Sequence, residues 1–273
     1  MDKLGVIGKI SDWLISCHVD YSKVKEVFHL ELIDIDPLEV ETLYHAHKED
    51  TLPEGTFKAS FDKDELTKAY HLYLAIKDII IKYKLVGFTI RCFDLLTSLN
   101  TTACLALSLL NSEGYIATCE GDLPAMLTMY SIKKTLHKES FQANPSSMDK
   151  ENRKIVLAHC TLPLSMCVNY KFDTHFESGI GVAIKGELPY EDLSILRINS
   201  DLTKYVVLKG TLIDNLNRPN LCRTQVLLKL AEERSFDYFL NTPLGNHHVI
   251  VYSDNLAPLV NYFKSLGLEE VKY

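Results

Sequence analysis

Residues 85–134 read LVGFTIRCFDLLTSLNTTACLALSLLNSEGYIATCEGDLPAMLTMYSIKK. Two short apolar segments stand out, Leu85–Ile90 and Ile116–Cys119, each bounded by polar or turn residues. Between them Thr101–Leu110 reads as a helix, and Gly114 ends it. Asp122 then opens a second helical stretch that runs to Lys134. Strand, helix, strand, helix in that order implies parallel strands joined by crossover helices. Toward the N-terminus the alternation continues. Leu4–Gly8 and Leu30–Ile35 read as strands, and Asp20–His29 as a helix. Pro37 suits the first turn of another helix. Asp62 with Glu65 three residues on is a capping-box start for a long helix to Lys84.

Toward the C-terminus the texture changes after about Phe141. Asn144-Pro145-Ser146-Ser147 is loop chemistry. Then come Ile155–Ala158, Gly181–Lys185, Leu193–Ile198, Tyr205–Leu212, Thr224–Leu230 and His248–Tyr252, mostly β-branched or alternating. Several short strands with few helices suggest an antiparallel barrel or sandwich. A last helix, Asn255–Leu266, is ended by Gly267.

The chain has 273 residues, enough for one large or two modest domains. A net charge of −7 with no basic block argues against a nucleic-acid partner. Seven cysteines form no paired framework, and most have apolar neighbours. They read as buried reduced thiols, which points to a cytoplasmic location. The N-terminal stretch is too polar for a signal peptide, and no segment approaches the roughly 20 apolar residues of a membrane span.

Glu120 and Asp122 fall where a strand ends and a helix begins, the place where open α/β sheets bind ligands. A carboxylate there can ligate a metal or move protons, although Asp122 also reads as an N-cap. His159 ends the apolar segment Ile155–Ala158, and Cys160 beside it reads as packing. His247 and His248 follow the turn Pro243–Asn246 and lead into a strand. Their side chains therefore point to opposite faces, and one of the two can face a site. Asp94 lies just past Leu85–Ile90, beside Arg91, and also suits a capping role. Dinucleotide, Walker and nucleophile-elbow motifs are absent. Carboxylates and imidazoles delivered from separate elements suggest a divalent-cation site and metal-assisted chemistry on a small oxygen-rich substrate.

Taken in order, these segments resemble the L-fucose isomerase-like proteins over nearly the whole chain. Val6-Ile7-Gly8 with Ser11-Asp12-Trp13-Leu14-Ile15-Ser16 is similar to the opening of their middle domain. Arg91-Cys92-Phe93, Thr101–Ser108 and Cys119-Glu120-Gly121-Asp122-Leu123 with Met129 resemble the central block. Leu157–Thr161, Glu177–Gly181, Cys222-Arg223-Thr224 and Gly245-Asn246-His247-His248-Val249 resemble the C-terminal block. The resemblance implies an α/β fold class: a parallel-sheet α/β domain, residues 1–112, then a C-terminal antiparallel β-barrel domain with flanking helices, residues 113–273, carrying most metal ligands.

It also implies aldose–ketose isomerisation by ene-diol proton transfer with Mn²⁺ or another divalent cation, an activity shared with the related L-arabinose isomerases. Carried over, Asp122 (or Glu120), His159 and His248 are the expected metal ligands. Glu120 and Asp94 are the expected catalytic carboxylates, with aspartate at 94 where the family usually has glutamate. Arg91, Asn246 and His247 are expected to bind substrate. The expected partner is a monosaccharide, with no nucleic acid and no membrane, and a homo-oligomer is the expected assembly. Family members usually carry a further α/β domain ahead of the Ser-Asp-Trp-Leu segment. The alternative expectation is therefore a sugar- or metal-binding subunit that needs a separate N-terminal domain.

Overall fold

Four short parallel strands open the chain, each followed by helix. In the computed structural model, which describes residues 1–272, these are β1 Asp2–Ile7, β2 Leu30–Ile35, β3 Gly87–Ile90 and β4 Ile116–Cys119, in sheet order β2-β1-β3-β4. The helices are α1 Tyr21–Phe28, α2 Pro37–Ala46, α3 Lys63–Tyr83, α4 Asp94–Ser98, α5 Cys104–Ser112 and α6 Leu123–Leu136. The starts of α1, α2, α3 and α6 follow the capping signals. Asp62 accepts from the amides of Asp64 and Glu65, both at 3.0 Å, and Asp36 accepts from Leu38 beside Pro37. β3 and β4 are buried throughout, as strands covered on both faces must be.

The second half is the barrel. Its strands are β5 Phe141–Asp149, β6 Lys154–His159, β7 Asn169–Asp173, β8 Ala183–Glu187, β9 Asp192–Ile198, β10 Lys204–Asn215, β11 Thr224–Leu230 and β12 His248–Val251. The order β11-β6-β5-β12-β9-β10 closes through β10–β11 into six antiparallel strands, with β7 and β8 a separate hairpin. Helices α7 Ser235–Asn241 and α8 Ala257–Ser265 flank it, and β13 Glu269–Glu270 adds to β10 in parallel. The expected fold class is the one observed.

Two expectations change. Asn144–Ser147 is not a loop but part of β5, and the register slips between Pro145 and Ser147. A proline cannot donate to a ladder, so it is accommodated at a bulge. The expected division at 112/113 would put Ile116–Cys119 with the barrel, yet this strand pairs with β3 from Gly87↔Ile116 to Ile90↔Cys119. Nor are the two halves separately cored. Leu4, Val6, Met126 and Leu127 share one apolar cluster with Leu196, Ile198 and Val249. Helix α6 lies in that seam and is buried from Leu123 to Ile132. Its polar members are absorbed internally: the Thr128 hydroxyl donates to Pro124 O at 2.7 Å and accepts from the Ile198 amide at 3.1 Å.

This seam positions the functional residues. β4 is the last strand of its sheet, so Cys119 has no neighbouring strand beyond it. The buried Gln142 side chain supplies the pairing instead. It accepts from Cys119 N at 2.9 Å and donates to Cys119 O at 3.2 Å. One amide thus pins the carboxyl end of β4 to the barrel strand β5.

Candidate active site

Glu120 follows that pinned residue with a left-handed backbone, φ 64°, and Gly121 continues it at φ 62°. A β-carbon at Gly121 would sit 2.8 Å from Lys9 O, so only glycine fits against the Lys9–Ser11 loop. The strained turn aims the Glu120 side chain back across the end of the sheet. Ser11 Oγ donates to Glu120 O, and the Trp13 indole N–H donates to Glu120 Oε2 at 3.3 Å.

The other carboxylate oxygen, Oε1, lies 3.5 Å from His159 Nε2 and 3.5 Å from His247 Nε2. His159 ends β6, and its Nδ1 is 3.0 Å from the Thr161 hydroxyl. His247 precedes β12, and its Nδ1 is 3.0 Å from Asp122 Oδ2. The two rings stand 5.2 Å apart, centroid to centroid. Both Nε2 atoms are buried with no hydrogen-bond partner. Buried polar nitrogens are rarely left so, and two aimed at one carboxylate oxygen fit a bound cation.

Behind this front row lies a buried support. Asp122 caps α6 by accepting from Ala125 N at 3.0 Å, and it pairs with Arg197 at 2.9 and 3.2 Å. Both side chains are fully buried. Arg197 also donates to His247 O and Ser16 O. A β-carbon at Gly245 would lie 2.1 Å from the Arg197 guanidinium, so residue 245 must be glycine for the arginine to pass. Burial pushes the Asp122 carboxyl up, but the Arg197 charge and the His247 bond win and hold it down to about 2. Burial would likewise neutralise His247, yet Glu120 and Asp122 together lift it to about 9. For Glu120, burial opposes ionisation, and the two imidazoles overcome it and hold the carboxyl well below its ordinary value. Asp122 holds the His247 ring by Nδ1, which directs Nε2 at Glu120, and a cation there would take the place of the Nε2 proton, the carboxylate–histidine arrangement of metal centres.

The expected residues separate accordingly. Glu120, His159 and His247 come together. Asp122 stands behind His247, and its oxygens meet Arg197, the α6 amide and the imidazole. His248 points the other way, into the barrel, as alternation along β12 requires. Its Nε2 is 2.7 Å from the Tyr238 hydroxyl, its Nδ1 is 3.1 Å from Asn246 O, and burial with the Arg197 charge lowers its pKa to about 3. Asn246 Oδ1 accepts from Ile15 N at 2.6 Å, which fixes the loop carrying Trp13. Asp94 is paired with Arg91 at 3.1 Å and lines a different cleft of about 530 Å³ with Gly8 and Lys9. Arg91 stacks on the Trp13 ring at 4.6 Å and so steadies the indole from outside.

The cavity in front of Glu120 measures about 590 Å³, a volume suited to a small organic ligand. Trp13, Phe93, Asn144, His175 and Glu177 contribute to its wall, together with five cysteines. Cys160 packs with Cys104, Ala183 and Cys222, in keeping with a packing role. Sequence reasoning passed over Trp13, Glu177 and Arg197 as site components. For Arg197 a signal existed, because a lone cation within Leu193–Ile198 is a charge in an apolar strand and demands a buried partner.

No family model matches the chain. It is similar to proteins named sulfoquinovose isomerase. With that of Priestia aryabhattai it is 22% identical over 294 residues of alignment, covering 99% of this chain and 64% of that protein. With that of Alkalicoccus urumqiensis it is 21% identical over 272 residues, covering 92% and 60%. With that of Clostridium sp. (strain MSTE9) it is 24% identical over 215 residues, covering 74% and 47%. The chain thus spans at most 64% of the length of these relatives. Their names fit the broad class of sugar isomerase and do not include an L-fucose isomerase.

Proposed function

We propose that the chain carries the catalytic centre of a metal-assisted aldose–ketose isomerase acting on a monosaccharide. The observation that carries this reading is the convergence of two unpartnered, buried imidazole nitrogens on one Glu120 oxygen at the wall of a sugar-sized cavity. Glu120, His159 and His247 would hold the divalent cation. When bound, it supplies Lewis-acid polarisation of the sugar carbonyl and stabilises developing ene-diolate charge.

The remaining work falls to side chains. Trp13 fixes Glu120 Oε2 by its indole N–H and walls the cavity with an apolar face. A carboxylate takes the proton from C2 of the open-chain aldose and returns it to C1, while the O2 hydroxyl proton passes to O1. The atoms balance with no net redox change. Glu120 is one carboxylate able to move that proton, and Glu177 on the same wall is the second, in place of Asp94. Asp122 and Arg197 hold His247 in position and move no proton to substrate.

The relatives named sulfoquinovose isomerase support a sugar substrate and raise the question of its charge. Among the described residues the cavity wall has no lysine or arginine. The test therefore sets neutral aldoses beside sulfoquinovose. Metal-loaded protein incubated with each sugar is expected to yield the ketose, detected by NMR, and Glu120→Gln to yield none. Absence of ketose from every sugar would refute the reading for this chain alone.

A further inference from the structure

Cys119 immediately precedes Glu120, and its sulfur faces the same space. Cys119 Sγ, a Glu120 oxygen and a His159 ring nitrogen all lie within 4.8 Å of one another. We infer that Cys119 is a ligand of the cation site, and that its thiolate makes the site one for a zinc-type cation instead of an oxygen-rich manganese site. This rests on the reading of Glu120, His159 and His247 as a cation site.

The donor set carries the inference. One sulfur, one carboxylate and one imidazole, with the His247 imidazole on the same carboxylate oxygen, is a mixture that suits zinc and cobalt, whereas manganese favours carboxylate, carbonyl and water. The spacing agrees. Donors about 2.1 Å from a four-coordinate ion stand about 3.4 Å apart, and each imidazole nitrogen here is 3.5 Å from the carboxylate oxygen. The backbone that carries the sulfur is held in place, because the N–H and C=O of Cys119 are both clamped by Gln142. Cys119 Sγ donates to Cys92 Sγ at 2.9 Å, a bond that the sulfur would give up on binding the cation.

The test titrates the metal-stripped full chain with Co²⁺, Zn²⁺ and Mn²⁺. Zinc outranks manganese at most sites, so the ratio alone decides nothing; the spectrum does. Bound Co²⁺ is expected to give a near-ultraviolet thiolate-to-cobalt charge-transfer band. Cys119→Ser is expected to lose that band while keeping the visible cobalt bands of the imidazole site. It should also weaken Zn²⁺ by at least about 10-fold and move the Zn²⁺/Mn²⁺ preference toward manganese. Cys92→Ser should retain the band. Cobalt bound without the band, or a band that survives in Cys119→Ser, overturns the thiolate ligand and leaves the cation site standing. Failure of the intact chain to bind any of the three ions overturns both.

Discussion

Asp122 shows how much one side chain settles here. It caps α6, neutralises Arg197 and holds the His247 ring by Nδ1. Removing the arginine leaves a buried, uncompensated carboxylate. Arg197→Ala is expected to cost about 3–5 kcal/mol in urea unfolding; a cost near zero would mean that Asp122 relaxes to solvent. A surface-side histidine gives a pH signature. His47 lies 2.5 Å from Asp50 and 2.9 Å from Asp78. Burial disfavours its charge, but the two carboxylates win and raise its pKa above the ordinary histidine value. Its stabilisation is therefore full below an unfolded value of about 6.5 and is lost as pH rises through the folded value. His47→Gln should destabilise the protein at about pH 5 and much less at about pH 9. A pH-independent loss would contradict the pairing. At this scale Glu120 and His159 were legible, because both end apolar segments. The choice between His247 and His248 was not. Alternation says that they diverge, and only the barrel wall around Tyr238 says which one turns inward.

Among the elements, the β3–β4 pair carries the site, and its closeness depends on Gly87. A β-carbon there would lie 2.5 Å from both Ile116 Cβ and Ile116 O. Backbone and branched side chain give little way. Gly87→Ala is expected to lower stability by about 1–3 kcal/mol and to weaken cation binding at Glu120 with it. Unchanged melting and binding would show that the sheet tolerates the shift. The parallel strands were readable because each is a short run followed by a helix, and after β1, β2 and β4 that helix has an aspartate cap, Asp20, Asp36 and Asp122. β5 was not, because Pro145 and its polar neighbours mimic a turn, and a bulge in a ladder leaves no signature in composition. The domain edge is obscured for a related reason. β4 belongs to the sheet, yet it is followed by a helix that packs on both halves.

For the whole molecule, the shared cluster joining Leu4 and Val6 to Leu196 and Val249 makes the halves interdependent. The chain should unfold as one unit, with Trp13 fluorescence and far-ultraviolet circular dichroism tracing the same urea transition. Two separated transitions would show autonomous domains. The central claim is that Glu120, His159 and His247, gathered across that seam, hold a divalent cation while His248 does not. Calorimetric titration of Zn²⁺ into folded His247→Ala and His248→Gln variants tests it most directly. The account predicts that His248→Gln binds like the unaltered protein and that His247→Ala binds far more weakly. Loss of binding in His248→Gln with binding intact in His247→Ala would contradict it.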